Sequence, residues 1–290
     1  MSFALVLNSS NVTGANNSNF QYNFINGGFV AKDAEIALIA VTYPYSWYNV
    51  TSYYNNQNFT INFPTGASSM TPLAFSLPAG YYSVTDIQNY IQQQCIANNY
   101  YIVDSTGNYL YYFYMSYDFN YYKIQILFSA VPTALTTGQK LPSAGTGGWK
   151  TALPTSGYTP KLVLPATGSI STIIGFAPGA SYPSAVTTSS TSILSTLTPN
   201  AASVNALVVR CSIVKNNIGN PTDILDQINI TTTYGSAITY QPSFERWVKV
   251  SDGTYSNFQL TFQDQNFNTL YALDPNVSIT LLIKNRTKEK

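Results

Sequence analysis

The side chains able to do chemistry are few in this sequence, and their spacing scatters them. Histidine is absent, so imidazole acid-base catalysis, a Ser-His-Asp triad and a histidine-ligated metal are all excluded. Two carboxylate groupings have the composition of a hydrolytic pair, Asp33 with Glu35 and Asp223 with Asp226. The first falls where a strand begins and the second where a turn or helix starts, so neither is expected to act as acid and base. Asp252, Asp264 and Asp274 offer the oxygen ligands calcium prefers, but no calcium-loop spacing joins them and turn formation accounts for each. Cys95 and Cys211 are too few for a zinc cluster or a disulfide framework, and reduced, buried thiols are expected. There is no Gly-rich phosphate loop and no dinucleotide fingerprint. The expectation is a protein without catalytic residues, cofactor, metal or small-molecule substrate.

What the chain has in quantity is ring surface. Its 290 residues include 24 tyrosines and 15 phenylalanines, residues that suit a half-buried pleated sheet and supply rigid contact area. Charged residues make up 9%, against roughly a quarter in an ordinary soluble domain, and the net charge is +1. A surface so short of charge associates with itself or with neighbours, so a structural or binding protein is expected. No charged residue lies between Glu35 and Asp86 or between Lys161 and Arg210. Only the end is basic, with Lys284, Arg286, Lys288 and Lys290 around Glu289. That reads as a solvated tail or as a short arm touching an acidic neighbour, and it is the one place where nucleic-acid contact is open. The start carries no signal-peptide pattern, and no apolar run approaches the roughly 20 residues that span a bilayer, so a soluble, not classically secreted protein without a membrane span is expected. Asn-X-Ser/Thr triplets, as at Asn11, Asn58 and Asn229, arise by chance in so Asn-, Ser- and Thr-rich a chain and carry little weight.

Alternation defines the elements that hold these residues. Phe20, Tyr22 and Phe24 share a face, as do Phe59, Ile61 and Phe63, and Leu73, Phe75 and Leu77. Ala34 to Tyr43 is dense enough for a strand covered on both sides, ended by Pro44. One amphipathic helix is predicted, capped by Ser83 with Asp86, striped by Val84, Ile87, Ile91 and Cys95, and closed by Asn98-Asn99; it should lie over a sheet edge or end. Residues 100 to 128 hold the densest aromatic cluster, 109 to 114 and 121 to 128, with turns at Ser105 to Asn108 and Asp118 to Asn120. Core and interface packing is preferred there to a platform for stacked bases or sugars, because groove cations are missing apart from Lys123. Residues 129 to 160 and 180 to 200 read as long surface excursions, with Ile173 to Phe176 as an apolar anchor between them. Strands resume at 206 to 209, 213 to 214, 228 to 233, 247 to 250, 258 to 262 and 277 to 283, with turns at Asp252-Gly253 and Asp274 to Asn276. Strand-rich ends around a loop-rich middle suggest one β domain interrupted by an insertion.

The ordered segments resemble a known family. They are Tyr45-Ser46-Trp47-Tyr48-Asn49-Val50, the run from Phe75 to Val84 leading into the helix, Ile174-Gly175-Phe176 followed by Tyr182-Pro183, the strand containing Cys211, and Asp252 to Ser256 ahead of Phe262 to Gln265. This series is similar to the minor capsid, or penton, proteins of virophages and related Polinton-like double-stranded DNA viruses, although residues 129 to 160 carry no element of it. The resemblance implies an all-β fold, a single jelly roll (antiparallel β-sandwich) with a β-rich insertion domain and a short amphipathic helix. It implies a homopentamer at the icosahedral vertices of the virion, set among capsomers of a double jelly-roll major capsid protein and assembled in the host cytoplasm. On this reading residues 1–98 and 201–290 form the jelly roll, 99–200 the insertion, and residues 1 to 18 and the basic end serve as contact arms. A receptor- or carbohydrate-binding module of fibre or lectin type is the alternative.

Overall fold

The computed structural model describes residues 2–25, 27–201 and 204–285. The chain begins with β1 (Ser2–Asn8), β2 (Asn19–Asn23), β3 (Phe29–Ala31) and β4 (Ala34–Pro44). Its middle carries β5 (Asn58–Pro64), β6 (Met70–Ser76), α1 (Val84–Ala97), β7 (Ile102–Val103), β8 (Tyr109–Leu110), β9 (Phe113–Asp118) and β10 (Lys123–Phe128). It continues through β11 (Lys161–Val163), α2 (Ser171–Ile174), β12 (Ser181–Tyr182) and β13 (Thr191–Leu194). The last part holds β14 (Ala206–Cys211), β15 (Ile224–Asn229), β16 (Ala237–Tyr240), β17 (Val248–Lys249), β18 (Gly253–Tyr255), β19 (Asn257–Asp264) and β20 (Ser278–Asn285). Two compact units result, 1–47 with 202–290 and 48–201.

In the first unit one antiparallel sheet has the order β1-β20-β4-β16, with β17 also on β4, and the other the order β15-β14-β19-β2. Followed along the chain, β1, β2, β4, β14, β15, β16, β19 and β20 fill those places in the sequence of a jelly roll, and the second unit is inserted between the third and fourth of them. The alternation read from sequence puts the apolar set between the sheets: Leu5, Leu7, Ile36, Leu38, Ile279, Leu281 and Ile283 on one side, Phe20, Leu207, Val209, Cys211, Phe258, Leu260 and Phe262 on the other. The pairing of β20 with β4 skips Ile39, a bulge that lets both flanking runs keep their inward face.

Three expectations change here. Residues 2 to 8, expected as part of a contact arm, are an integral strand paired to β20 from Ser2↔Lys284 to Asn8↔Ser278. The strand expected at 213 to 214 is a turn in which Val214 makes only an isolated bridge to Val250. The strand expected from 228 to 233 lies earlier, at 224–229, and so takes in Asp226, which is neither turn nor helix start. The carboxylate is tolerated inside because Tyr240 Oη donates to it at 2.7 Å and Arg246 Nη1 at 2.8 Å.

The second unit is built on the sheets β12-β11-β5-β6 and β13-β10-β9, with β7 and β8 as a small ribbon. Its boundary lies at 47/48 and not near 98, because Val50, Phe59, Ile61, Phe63, Phe75 and Leu77 share one core with α1 and with Phe113, Ile126 and Phe128. Asn49 ties the two ends of the unit, its Nδ2 donating to Ala201 O at 2.7 Å and to Tyr82 O at 2.8 Å. Helix α1 has the predicted capping box: Ser83 Oγ accepts from Asp86 N at 3.2 Å and Asp86 Oδ2 from Ser83 N at 2.8 Å. Its stripe Val84, Ile87, Ile91 and Cys95 is buried, and Gln88 bonds the free edge of β9, accepting from Met115 N at 2.8 Å.

The two predicted excursions are more structured than their composition suggests. In the 180 to 200 stretch, β13 adds to β10 from Gln125↔Leu194 to Phe128↔Thr191. Residues 129 to 160 hold no strand among the described residues, yet Trp149 inside them is fully buried, its Nε1 donating to Pro64 O at 2.8 Å. Gly148 makes this possible: it sits at φ +56°, and a Cβ there would fall 2.2 Å from Asn98 O.

Candidate interaction surface

The residues with chemical capacity are engaged within the fold. Among the described residues no group of three or more His, Cys, Asp or Glu side chains could hold a metal ion. Asp33 and Glu35 take separate lysine partners, Lys249 at 3.9 Å and Lys284 at 3.3 Å. Asp264 Oδ1 accepts from Asn266 N and Asn268 N, and Asp274 Oδ1 from Asn276 N, so these two close their own loops, whereas Asp252 Oδ1 accepts from Asp33 N and ties its loop to the turn between β3 and β4. Cys95 and Cys211 are buried free thiols, each pushed up to about 12 by desolvation, which leaves them protonated and poor nucleophiles at neutral pH.

A depression of about 200 Å³ lies on the outer face of the β15-β14-β19-β2 sheet and is lined by Arg210, Ser212, Asp223, Gln259, Thr261 and Gln263. Arg210 is engaged there through all three of its nitrogens. Its Nε and Nη2 donate to Asp223 at 2.9 and 2.7 Å and its Nη1 to Gln263 Oε1 at 3.1 Å. Along β19 and β2 the same face pairs Thr261 with Asn19, Gln259 with Gln21 and Asn257 with Asn23. It is a neutral field of amides and hydroxyls, suited to hydrogen bonding a partner without electrostatic selection.

Exposed apolar residues collect at the ends of the jelly roll. At one end the connections following β2, β14 and β16 meet: β3 pairs β18, Val214 bridges Val250 and Lys215 N donates to Lys249 O at 2.8 Å. Ile25 at 79% exposure and Ile218 at 98% stand out from these connections, and Val30 on β3 is exposed as well. Ile218 is held there by Asn216 Oδ1, which accepts from its N at 3.1 Å. At the other end Asn17 Nδ2 donates to Ala272 O and Leu273 O, and Ser46 Oγ accepts from Leu273 N and Asp274 N. Tyr271 and Leu273 are exposed there. The Tyr43, Tyr45 and Trp47 rings plug that end from inside; Tyr45 and Trp47 stack at 4.4 Å, and burial drives the Tyr43 phenol far above its ordinary range. Tyr45 and Trp47 of the Tyr45 to Val50 motif are therefore core.

In the second unit the aromatic cluster splits by face. Phe113, Met115, Ile124, Ile126 and Phe128 are buried, whereas Tyr114 and Leu127 face outward. At the tip of the β9–β10 hairpin Phe119 is 85% exposed, and Tyr121 and Tyr122 are exposed beside it. Asp118 Oδ1 fixes the turn by accepting from Asn120 N at 3.0 Å, and Tyr117 packs on Phe119 with ring centroids 4.7 Å apart. The sequence marked these rings as core and contact together, and only the register of β9 with β10 separates the two sets. At the basic end, Lys284 lies on β20 with its Nζ 3.5 Å from the Trp247 ring; Arg286, Lys288, Glu289 and Lys290 lie outside the described residues. No helix among the described residues is long and apolar enough to cross a membrane.

No family model matches the chain, and no curated protein matches it. Among solved structures it is similar to the penton protein of mavirus, with 10% identity and a TM-score of 0.42 over 98% of this chain and 99% of that one. It is similar also to a chain in the cryo-EM structure of the Sputnik virophage, with 10% identity and a TM-score of 0.41 over 100% of this chain and 99% of that one.

Proposed function

We propose that the chain is a structural minor capsid protein forming homopentameric pentons at the icosahedral vertices of a small, virophage-like double-stranded DNA virus. Its partners on this reading are four further copies of itself and a double jelly-roll major capsid protein, and its place is the virion. The observation that carries the proposal is the scarcity of charge, 9% of the chain, together with apolar side chains projecting from both ends of the jelly roll. Exposed patches of this kind cost solubility unless neighbours cover them, and low charge lets like copies pack without repulsion. Five copies close a ring by heterologous contacts, one patch of each against a different patch of the next. Native mass measurement and negative-stain imaging of the full chain, alone and with the major capsid protein, test it. Particles of five times 31.8 kDa are expected. A monomer under both conditions overturns the proposal.

The β9–β10 tip favours a second reading, receptor or glycan binding, since rigid exposed rings beside Asn120 can stack on a sugar face. Changing Phe119, Tyr121 and Tyr122 together to serine would abolish glycan-array binding by the whole chain on that reading and leave ring formation intact.

A further inference from the structure

The strand edges of this protein are guarded unequally. The free side of β2 is closed by the chain's own 11 to 13 segment: Asn11 Nδ2 donates to Gln21 O, Val12 bridges Phe20, and Thr13 N donates to Asn19 O at 2.8 Å. Gln88 of α1 occupies the edge of β9 at Phe113 and Met115. β6 contains Pro72, and its Ser76 carbonyl accepts from Tyr90 Oη at 3.0 Å. β15 carries Asp226, while β12, β13, β16 and β17 have four residues or fewer. These are the usual devices that stop sheets from adding to one another.

β1 has none of them. Its seven residues, Ser-Phe-Ala-Leu-Val-Leu-Asn, contain no charge and no proline. β20 takes one side, and among the described residues nothing hydrogen bonds to the other edge from Phe3 to Leu7. Phe3 and Ala4 are exposed, and Val6 is 57% exposed. The run is also symmetric about its centre. Turned end for end against itself, Ser2 faces Asn8, Phe3 faces Leu7, Ala4 faces Val6, and Leu5 meets Leu5. Polar, large and small positions each match their own kind, so both faces of an antiparallel pair are complementary.

We infer that β1 pairs antiparallel with β1 of a second copy about a two-fold axis through Leu5, joining the β1-β20-β4-β16 sheets of two molecules. Such a contact is isologous and cannot close a ring of five. It joins two free chains or two rings, and it stands independently of the penton reading.

The test is native mass measurement of the full chain and of Val6→Lys and Ala4→Glu. Both positions are exposed in the single chain, so the fold should be retained, and circular dichroism checks this. The wild type should give two-copy species, or doubled rings. Each single substitution should weaken that doubling by on the order of tenfold, since a charge replaces a cross-strand apolar pair. Mixing the two variants, or combining both changes in one chain, should restore it, because the introduced carboxylate of one copy then faces the introduced ammonium of the other across the axis. Independently, exchange of the Phe3 to Leu7 amides should slow as concentration rises. Absence of doubling in the wild type, indifference to Val6→Lys, or failure of the charge pair to rescue each overturns the inference. Rings of five without doubling would leave the penton standing and remove this contact; doubling without rings would do the reverse.

Discussion

Replacing Trp149 by alanine should destabilise one unit and spare the other. The indole is fully buried, donates to Pro64 O at 2.8 Å, and stands edge-on to Phe63, Tyr100 and Tyr112 with centroids 5.9, 5.5 and 5.3 Å away. Removing a buried aromatic of this size costs about 3–5 kcal/mol, and the Pro64 carbonyl left without its donor adds about 1 kcal/mol. For a unit of residues 48–201 that corresponds to a fall in melting temperature on the order of 10 °C. Trp149→Phe keeps most ring contacts and loses the donor, so about 1–2 kcal/mol is expected. The assay is hydrogen exchange read by mass spectrometry in graded urea, which reports each unit separately. Amides of α1, β9 and β10 should lose protection, while those of β14 and β19 keep theirs. A cost below about 1 kcal/mol, or an equal loss in both units, would refute the claim that this one ring pins the 129 to 160 segment into the core.

Other outcomes follow from the same packing. Gly148→Ala should lower the same unit's stability by roughly 1–3 kcal/mol, because its Cβ collides with the Asn98 and Asn99 carbonyls at a positive φ; an unchanged urea midpoint would contradict this. Asp226→Ala removes the acceptor shared by Tyr240 and Arg246 and should cost the jelly-roll unit about 1–3 kcal/mol in urea melts, with Asp226→Asn costing less because an amide oxygen still accepts from Tyr240. The buried thiols set an alkaline limit. Their pKa values are raised in the fold to about 12, so the stability they contribute is whole below the unfolded value near 9 and drains as pH climbs towards 12. Each costs about 1.4 kcal/mol per pH unit in that interval, and replacing Cys211 by Val should flatten the slope for β14 amides while leaving α1 amides unchanged.

Much of the framework is legible locally. Strand alternation from Phe20 to Phe24 and from Phe59 to Phe63, the dense run ending at Pro44, and the Ser83–Asp86 capping box each depend on residues within one turn or one strand, where period and cap chemistry decide the outcome. Asp226 defeats a local reading because a carboxylate in a strand is expensive alone, and its remedy, Tyr240 and Arg246, lies on other elements. Trp149 is hidden by its Gly- and Ser-rich neighbours, although a lone indole in such a stretch is itself a signal of burial. Likewise the 109 to 128 rings are identifiable as sheet and contact residues, yet the assignment of Phe113 to the core and Phe119 to solvent needs the β9–β10 register.

By itself, then, the chain determined its material: no imidazole, 9% charge, and a large stock of tyrosine and phenylalanine rings for strands and contact surface. Composition and short-range periodicity act at any single residue or strand, which is why they can be read in one dimension. The tertiary structure alone decided which strand lies beside which, that the break falls at Trp47, and that among the described residues β1 keeps a bare edge while β2 and β9 do not. Those are consequences of pairings between residues far apart in the chain, where backbone hydrogen bonds carry no sequence label and only the simultaneous packing of both faces selects the partner.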